Sequence, residues 1–179
     1  MEAIFFLINA VVSFFTTMFM LRFLMQMTRT SFSGQIGDFV VKLTNWAVKP
    51  LRRIVPGVGG VDWASLLAAL WLQLLMAGII IAASSTTATL SADGVGMALM
   101  ILMFAVRGLL RLTVYIMIGA IILQAVLSWI NPYSPVAPLV NQLVRPLLDP
   151  IRRFVPTISG IDLSPLVAIL LLQVVLMFL

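Results

Sequence analysis

The chain has no cysteine and no histidine among its 179 residues. Disulfides, thiolate chemistry, the usual zinc sites and histidine-ligated haem are therefore excluded. Charge is scarce as well. Charged residues are 9% of the chain, with only six carboxylate side chains, against about 25% charged in an ordinary soluble domain. A lone aspartate without histidine, cysteine or a second nearby carboxylate makes a thin acid–base system. Gly57, Gly59 and Gly60 match no phosphate-cradling pattern and precede an apolar run instead of a βαβ unit. Neither enzymatic activity nor a cofactor is expected. The net charge of +5 does not point to nucleic acid, because the basic residues flank apolar runs and form no basic stripe on a soluble fold. Anionic phospholipid headgroups are the expected partners.

What the chain has instead is hydrocarbon. Hydrophobic residues make up 62% of it, and residues 3–21, 63–83, 112–130 and 163–179 carry no formal charge. Each run reads as a membrane helix. The start, MEAIFFLINAVVSFF, has Glu2 where a signal peptide has a basic segment, and no small-x-small cleavage site follows. It is read as a retained span continuing to about residue 27, with Arg22 snorkelling to the interface. Residues 97–106 are read as the beginning of an overlong third helix, with Arg107 and Arg111 near its outer end. The connection 28–62 holds Arg29, Lys42, Lys49, Arg52 and Arg53, and the connection 131–162 holds Arg145, Arg152 and Arg153, whereas SSTTATLSADGVG holds no basic residue. The positive-inside rule places both basic loops in the cytoplasm and both termini outside it.

The basic loops are copies of each other. KPLRRIVPGVGGVD at 49–62 returns as DPIRRFVPTISGID at 149–162. At a constant offset of one hundred, Pro50, Arg52, Arg53, Val55, Pro56, Gly60, Asp62, Leu66, Ala68, Leu70, Leu72 and Gln73 recur. The fold class is thus an all-α integral membrane protein. About four transmembrane helices form two parallel tandem repeats, each with an amphipathic interfacial helix in its cytoplasmic loop. Residues 1–83 form the first repeat, 84–103 an extracytoplasmic linker with a possible interfacial segment, and 104–179 the second repeat. Ile36, Phe39, Val40, Leu43 and Ala47 recur at helical spacing, as do Leu139, Val140, Leu143, Val144 and Leu147. Pro50 and Pro150 are expected to interrupt or end these helices. Arg52, Arg53, Arg152 and Arg153 then stand at the phosphate level, as lipid anchors or a partner-docking surface. Asp62 and Asp162 precede apolar runs, as helix caps or arginine partners.

Polar residues inside the spans admit two readings. Asn9, Ser13 and Thr17 share one face of the first span, Gln124 and Ser128 share a face of the third, and Gln73 and Gln173 occupy matching positions in the second and fourth. They form either a polar seam between the repeats, able to pass an ion or small solute, or dry helix–helix hydrogen bonds. The eleven methionines are flexible apolar filler.

The stretch SWINPYSPVAPLVNQLVRPLLDPIRRFVPTISGIDLSPLVAILLLQ, at 128–173, resembles the signature of the YggT family of small bacterial and plastid membrane proteins. The residues that carry the likeness are Ser128, Trp129, Asn131, Pro132, Pro146, Pro150, Arg152, Arg153, Pro156, Gly160, Asp162, Ser164 and Pro165. The first half keeps the later part, from Pro50 to Asp62, and has QMTRTSFSG in place of SWINPYSP. The resemblance implies a multi-pass protein of the bacterial inner membrane with no agreed enzymatic activity. Family members are associated with osmotic-shock tolerance and potassium balance, with division or nucleoid organisation, and, in plastids, with cytochrome assembly. The expected function is non-enzymatic, in osmotic-stress tolerance or membrane assembly, through the duplicated basic loops and a homo-oligomeric or membrane-protein partner. The alternative is a channel or carrier for potassium or a small osmolyte along the polar seam.

Overall fold

Uncharged apolar runs have no other way to satisfy their backbone amides in lipid than to become helices, and each of the four does. The computed structural model describes residues 2–32, 34–57, 60–83, 94–155 and 162–179. Among them are six helices: α1 (Glu2–Met27), α2 (Gln35–Ile54), α3 (Trp63–Ala83), α4 (Gly94–Ile130), α5 (Ala137–Arg152) and α6 (Ser164–Phe178). Helices α1, α3 and α4 are long and apolar enough to cross a bilayer, and α6 is a shorter apolar helix. At 1.5 Å per residue α4 is about 55 Å long, against roughly 30 Å of hydrocarbon, so it must tilt or project.

The order apolar, amphipathic, apolar is repeated: α1–α2–α3, then α4–α5–α6. Each repeat has its own core. Phe19 and Met20 of α1, Val48 of α2, and Ala64, Ala68 and Ala69 of α3 make the first; Val114 and Ile121 of α4, Val144 and Leu148 of α5, and Ala168 and Leu172 of α6 make the second. The alanines matter because, in lipid, helices are drawn together by close packing and not by a hydrophobic drive. Leu109 of α4 belongs to the first core, so α4 joins the two repeats.

The overlong third helix expected to begin near residue 97 begins at Gly94, so that 94–103, also assigned to the linker, are its first turns, and 84–93 lie outside the described residues. Because the helix begins this early, Arg107 and Arg111 are exposed well inside α4 and not near its end. Pro50, Pro146 and Pro150 also depart from expectation. Neither Pro50 nor Pro150 ends its helix; all three lie inside α2 or α5 and are exposed. Proline removes one backbone bond, but the buried stripes Gly37, Val40, Thr44, Val48 and Val140, Val144, Leu148 pack against the spans on the opposite face. That packing carries the helix through. Phe39, expected on the apolar stripe, is exposed on α2.

The two repeats turn from span to amphipathic helix by different devices. After α1, Arg29 is left-handed (φ 53°), Arg29 N–H donates to the Gln26 carbonyl (3.0 Å) and Thr30 N–H to the Met25 carbonyl (2.8 Å). This is the double bond pattern that closes a helix C-terminus. After α4, Asn131–Pro132–Tyr133–Ser134 forms a turn in which Ser134 N–H donates to the Asn131 carbonyl (3.1 Å). Proline at its second position presets the dihedral angle.

Candidate functional site

Three helices of the first repeat deliver charge to one buried point. Asp62, immediately before α3, is 1% exposed, and Arg22 near the end of α1 is 4% exposed. Arg22 Nε stands 3.4 Å from Asp62 Oδ2. Arg22 Nη1 donates to Thr44 Oγ1 (2.6 Å) and Asn45 Oδ1 (3.1 Å) on α2. From the end of α2, Arg52 closes on the same carboxylate with a fork: Nη2 to Oδ2 at 2.6 Å and Nε to Oδ1 at 3.2 Å. The Ser65 hydroxyl donates to Oδ2 at 2.7 Å. Two guanidiniums and one carboxylate thus pin α1, α2 and α3 together where they meet the basic loop. Arg22 does not snorkel: Thr44 and Asn45 give its guanidinium polar partners inside the bundle, so it need not reach the interface. Its Nε remains without a hydrogen bond.

The pairing governs protonation outside the spans. Burial disfavours the Asp62 carboxylate, but hydrogen bonds from Arg52 and Ser65, with the charges of Arg52 and Arg22, outweigh it and hold the carboxyl below its ordinary range. The hydrogen bond to Asp62 raises Arg52 despite its partial burial.

The second repeat builds a looser version. Arg152 Nε donates to Asp162 Oδ2 at 2.9 Å, and Asp162 Oδ1 accepts the Ser164 N–H at 2.9 Å, capping the start of α6. Here the carboxylate is one-third exposed. Burial again opposes ionisation, and Ser164 and Arg152 overcome it, so this carboxyl too is lowered. Arg152 also lies 3.9 Å from Asp149, which pairs with Arg145 at 3.1 Å. No arginine descends from α4 as Arg22 does from α1. Gln124 takes that place. It lines a cleft of about 410 Å³ with Val144 and Arg145, the α5 positions corresponding to Thr44 and Asn45.

Arg53 and Arg153, one step past the paired arginines, are exposed at the ends of α2 and α5, and neither forms an ion pair among the described residues. Lys42 and Lys49 are exposed on the same helix as Arg53. Of the motif residues, Asn131 and Pro132 make the turn after α4, Pro150 lies within α5, and Pro156 and Gly160 fall outside the described residues.

The polar residues of the spans are not gathered into one seam. Asn9 and Ser13 face outward on α1. Ser13 Oγ donates to Asn9 Oδ1 (3.2 Å) and Thr17 Oγ1 to the Ser13 carbonyl (2.8 Å), so these groups satisfy one another locally. Gln73 packs on α4, where a Cβ on Gly108 would come within 3.2 Å of its Nε2. Gln173 and Ser128 are exposed, and Gln124 turns toward α5. Sequence reasoning missed Arg22 and Ser65 as partners of Asp62, and Thr44 as a partner of Arg22. The available signal was that Arg22 is the single charge between Ala3 and Met27.

Comparison with known proteins fits this duplicated plan. The family model described as CCB3/YggT matches twice, over residues 1–83 and 98–179. The YggT protein of Escherichia coli K12 is 35% identical over 98% of this chain and 88% of its own length. A Vibrio alginolyticus protein from the proC 3' region is 35% identical over 97% of this chain and 91% of its own. Pseudomonas aeruginosa PA0392 is 35% identical over 91% of this chain and 81% of its own length. No solved structure matches at a significant level.

Proposed function

Because the chain belongs to the CCB3/YggT family of multi-pass membrane proteins, we propose that it is a non-enzymatic protein of the bacterial inner membrane. It works in osmotic-stress tolerance or membrane assembly through its duplicated basic helices, which lie on the cytoplasmic side against anionic lipid. A homo-oligomer or a second membrane protein docks on the same surface.

One observation carries this reading. In each repeat the first arginine of the pair is committed to an aspartate, Arg52 to Asp62 and Arg152 to Asp162, while the second, Arg53 or Arg153, is exposed. The committed arginine fixes the end of the amphipathic helix; the exposed one is left to meet the headgroups. Near an anionic surface each such charge contributes about 1 kcal/mol. Exposed Trp46 and Phe154 are suited to the same boundary.

The test is the double variant Arg53→Gln plus Arg153→Gln, which spares both arginine–aspartate pairs. In proteoliposomes rich in phosphatidylglycerol, a protease cutting after aromatic residues should attack Trp46 and Phe154 several-fold faster in the variant than in the parent. In neutral liposomes the two should be cut alike. Cells dependent on the variant should survive hypo-osmotic shock less well; equal cleavage and equal survival would refute the reading.

A further inference from the structure

The repeats differ most where α1 and α4 face their amphipathic helices, and the difference has the form of a vacancy filled in one repeat and open in the other. In the first, the Arg22 guanidinium occupies the space against Thr44 and Asn45. In the second, Gln124 is too short to do so. A cleft of about 410 Å³ remains, lined by Gln124, Asn141, Gln142, Arg145, Asp149 and Arg152. A hollow of about 90 Å³ bordered by Gln124, Ser128 and Asn141 adjoins it. The Gln124 Oε1 atom is buried and accepts no hydrogen bond. A buried polar atom without a partner is costly and marks a place where a donor belongs.

The lining states what such a donor must be attached to. Arg145 and Arg152 use Nε for their bonds to Asp149 and Asp162, and a guanidinium carries five N–H donors. Further donors therefore remain on both guanidiniums. With Arg153, which forms no ion pair among the described residues, the end of α5 sets three arginines (Arg145, Arg152 and Arg153) against two carboxylates (Asp149 and Asp162), one positive charge in excess. Trp129 and Tyr133, at the end of α4 and in the following turn, are exposed, the chemistry of a membrane boundary. We infer that the α4–α5 cleft binds the headgroup of one anionic phospholipid. Its monoanionic phosphodiester takes the spare N–H groups of Arg145 and Arg152, and a headgroup hydroxyl donates to Gln124 Oε1. Phosphatidylglycerol has this chemistry. The inference rests on the reading that the basic helices lie against lipid, and it assigns to the second repeat a specific site that Arg22 closes in the first.

The test uses the full chain in nanodiscs, with bound lipid counted by native mass spectrometry. Phosphatidylglycerol is compared with phosphatidylmethanol, which has the same charge and no headgroup hydroxyl. The parent should retain one phosphatidylglycerol per chain, roughly five- to tenfold more tightly than phosphatidylmethanol. Gln124→Met, similar in volume but without the acceptor, should bind both equally, and Arg145→Gln should weaken both. Because the readout is a preference between two lipids, a variant that loses some stability still reports. Absence of the preference in the parent, or its survival in Gln124→Met, overturns the proposal. So does preference for phosphatidylethanolamine over phosphatidylglycerol, or displacement by soluble glycerol 3-phosphate at matching concentration. Arg53→Gln plus Arg153→Gln leaves the cleft intact. Unchanged protease protection in that variant with the lipid preference retained defeats the broader function alone, and faster cleavage there with no lipid preference in the parent defeats this site alone.

Discussion

Arg22 of α1 and Asp62, immediately before α3, meet 3.4 Å apart with side chains only 5% and 1% exposed. Arg52 completes the cluster at 2.6 Å from the same carboxylate. Removing Asp62 would leave two guanidiniums facing each other without a counter-charge. Breaking a buried pair by deleting one partner costs about 3–5 kcal/mol. Asp62→Ala should therefore lower the thermal midpoint of the detergent-solubilised protein sharply. Asp162→Ala should cost about 1 kcal/mol or less, because that pair is substantially solvated. Comparable losses in both variants would contradict the asymmetry drawn between the repeats.

The same carboxylate sets a pH dependence. Its folded-state pKa is held below the ordinary value. The stabilisation is present above the carboxyl's unfolded pKa and is lost as pH falls through the depressed folded one. Thermal midpoints measured from neutral pH downward should hold through the mildly acidic range and drop only once the solution is more acidic than an ordinary aspartate pKa. In Asp62→Asn most of that drop should be absent, the remainder belonging to Asp162, which is also lowered.

Gly37 is required by contact. A Cβ there would run into the Phe32 carbonyl oxygen and lie 2.7 Å from the Phe32 Cα. These are backbone atoms, which cannot swing aside. Gly37→Ala should displace the chain entering α2 and destabilise the first repeat by about 1–3 kcal/mol. The second repeat carries Ala137 at the corresponding, buried position, where the turn through Asn131 and Pro132 brings the chain in differently. Ala137→Gly should be much milder. Equal effects, read by thermal midpoint, would show that the close approach is unimportant.

The helices were legible because hydropathy and helical spacing alone decide them, and the recurrence of Pro50, Arg52, Arg53 and Asp62 at a fixed offset displayed the duplication. What the pattern could not display was the part that is not duplicated. Arg22 has no arginine counterpart on α4, so aligning the repeats drew the eye away from it. Its burial depends on Thr44 and Asn45, which reach it only after α2 packs under α1. The spacing of Asn9, Ser13 and Thr17 established a shared face without saying which way that face points. Local hydrogen bonds let it face outward. Pro50 and Pro150 misled for a related reason: a helix-breaking preference is local, and the buried stripe on the opposite face overrides it.

The proposed function requires both basic helices to lie on one side of the bilayer with Arg53 and Arg153 exposed there. The chain has no cysteine, so a single introduced thiol reports its own position. Arg53→Cys and Arg153→Cys, each made alone in intact cells and in inverted membrane vesicles, should react with a membrane-impermeant maleimide only in the inverted vesicles. Labelling of the two positions from opposite sides would contradict the parallel duplication on which the proposed function stands.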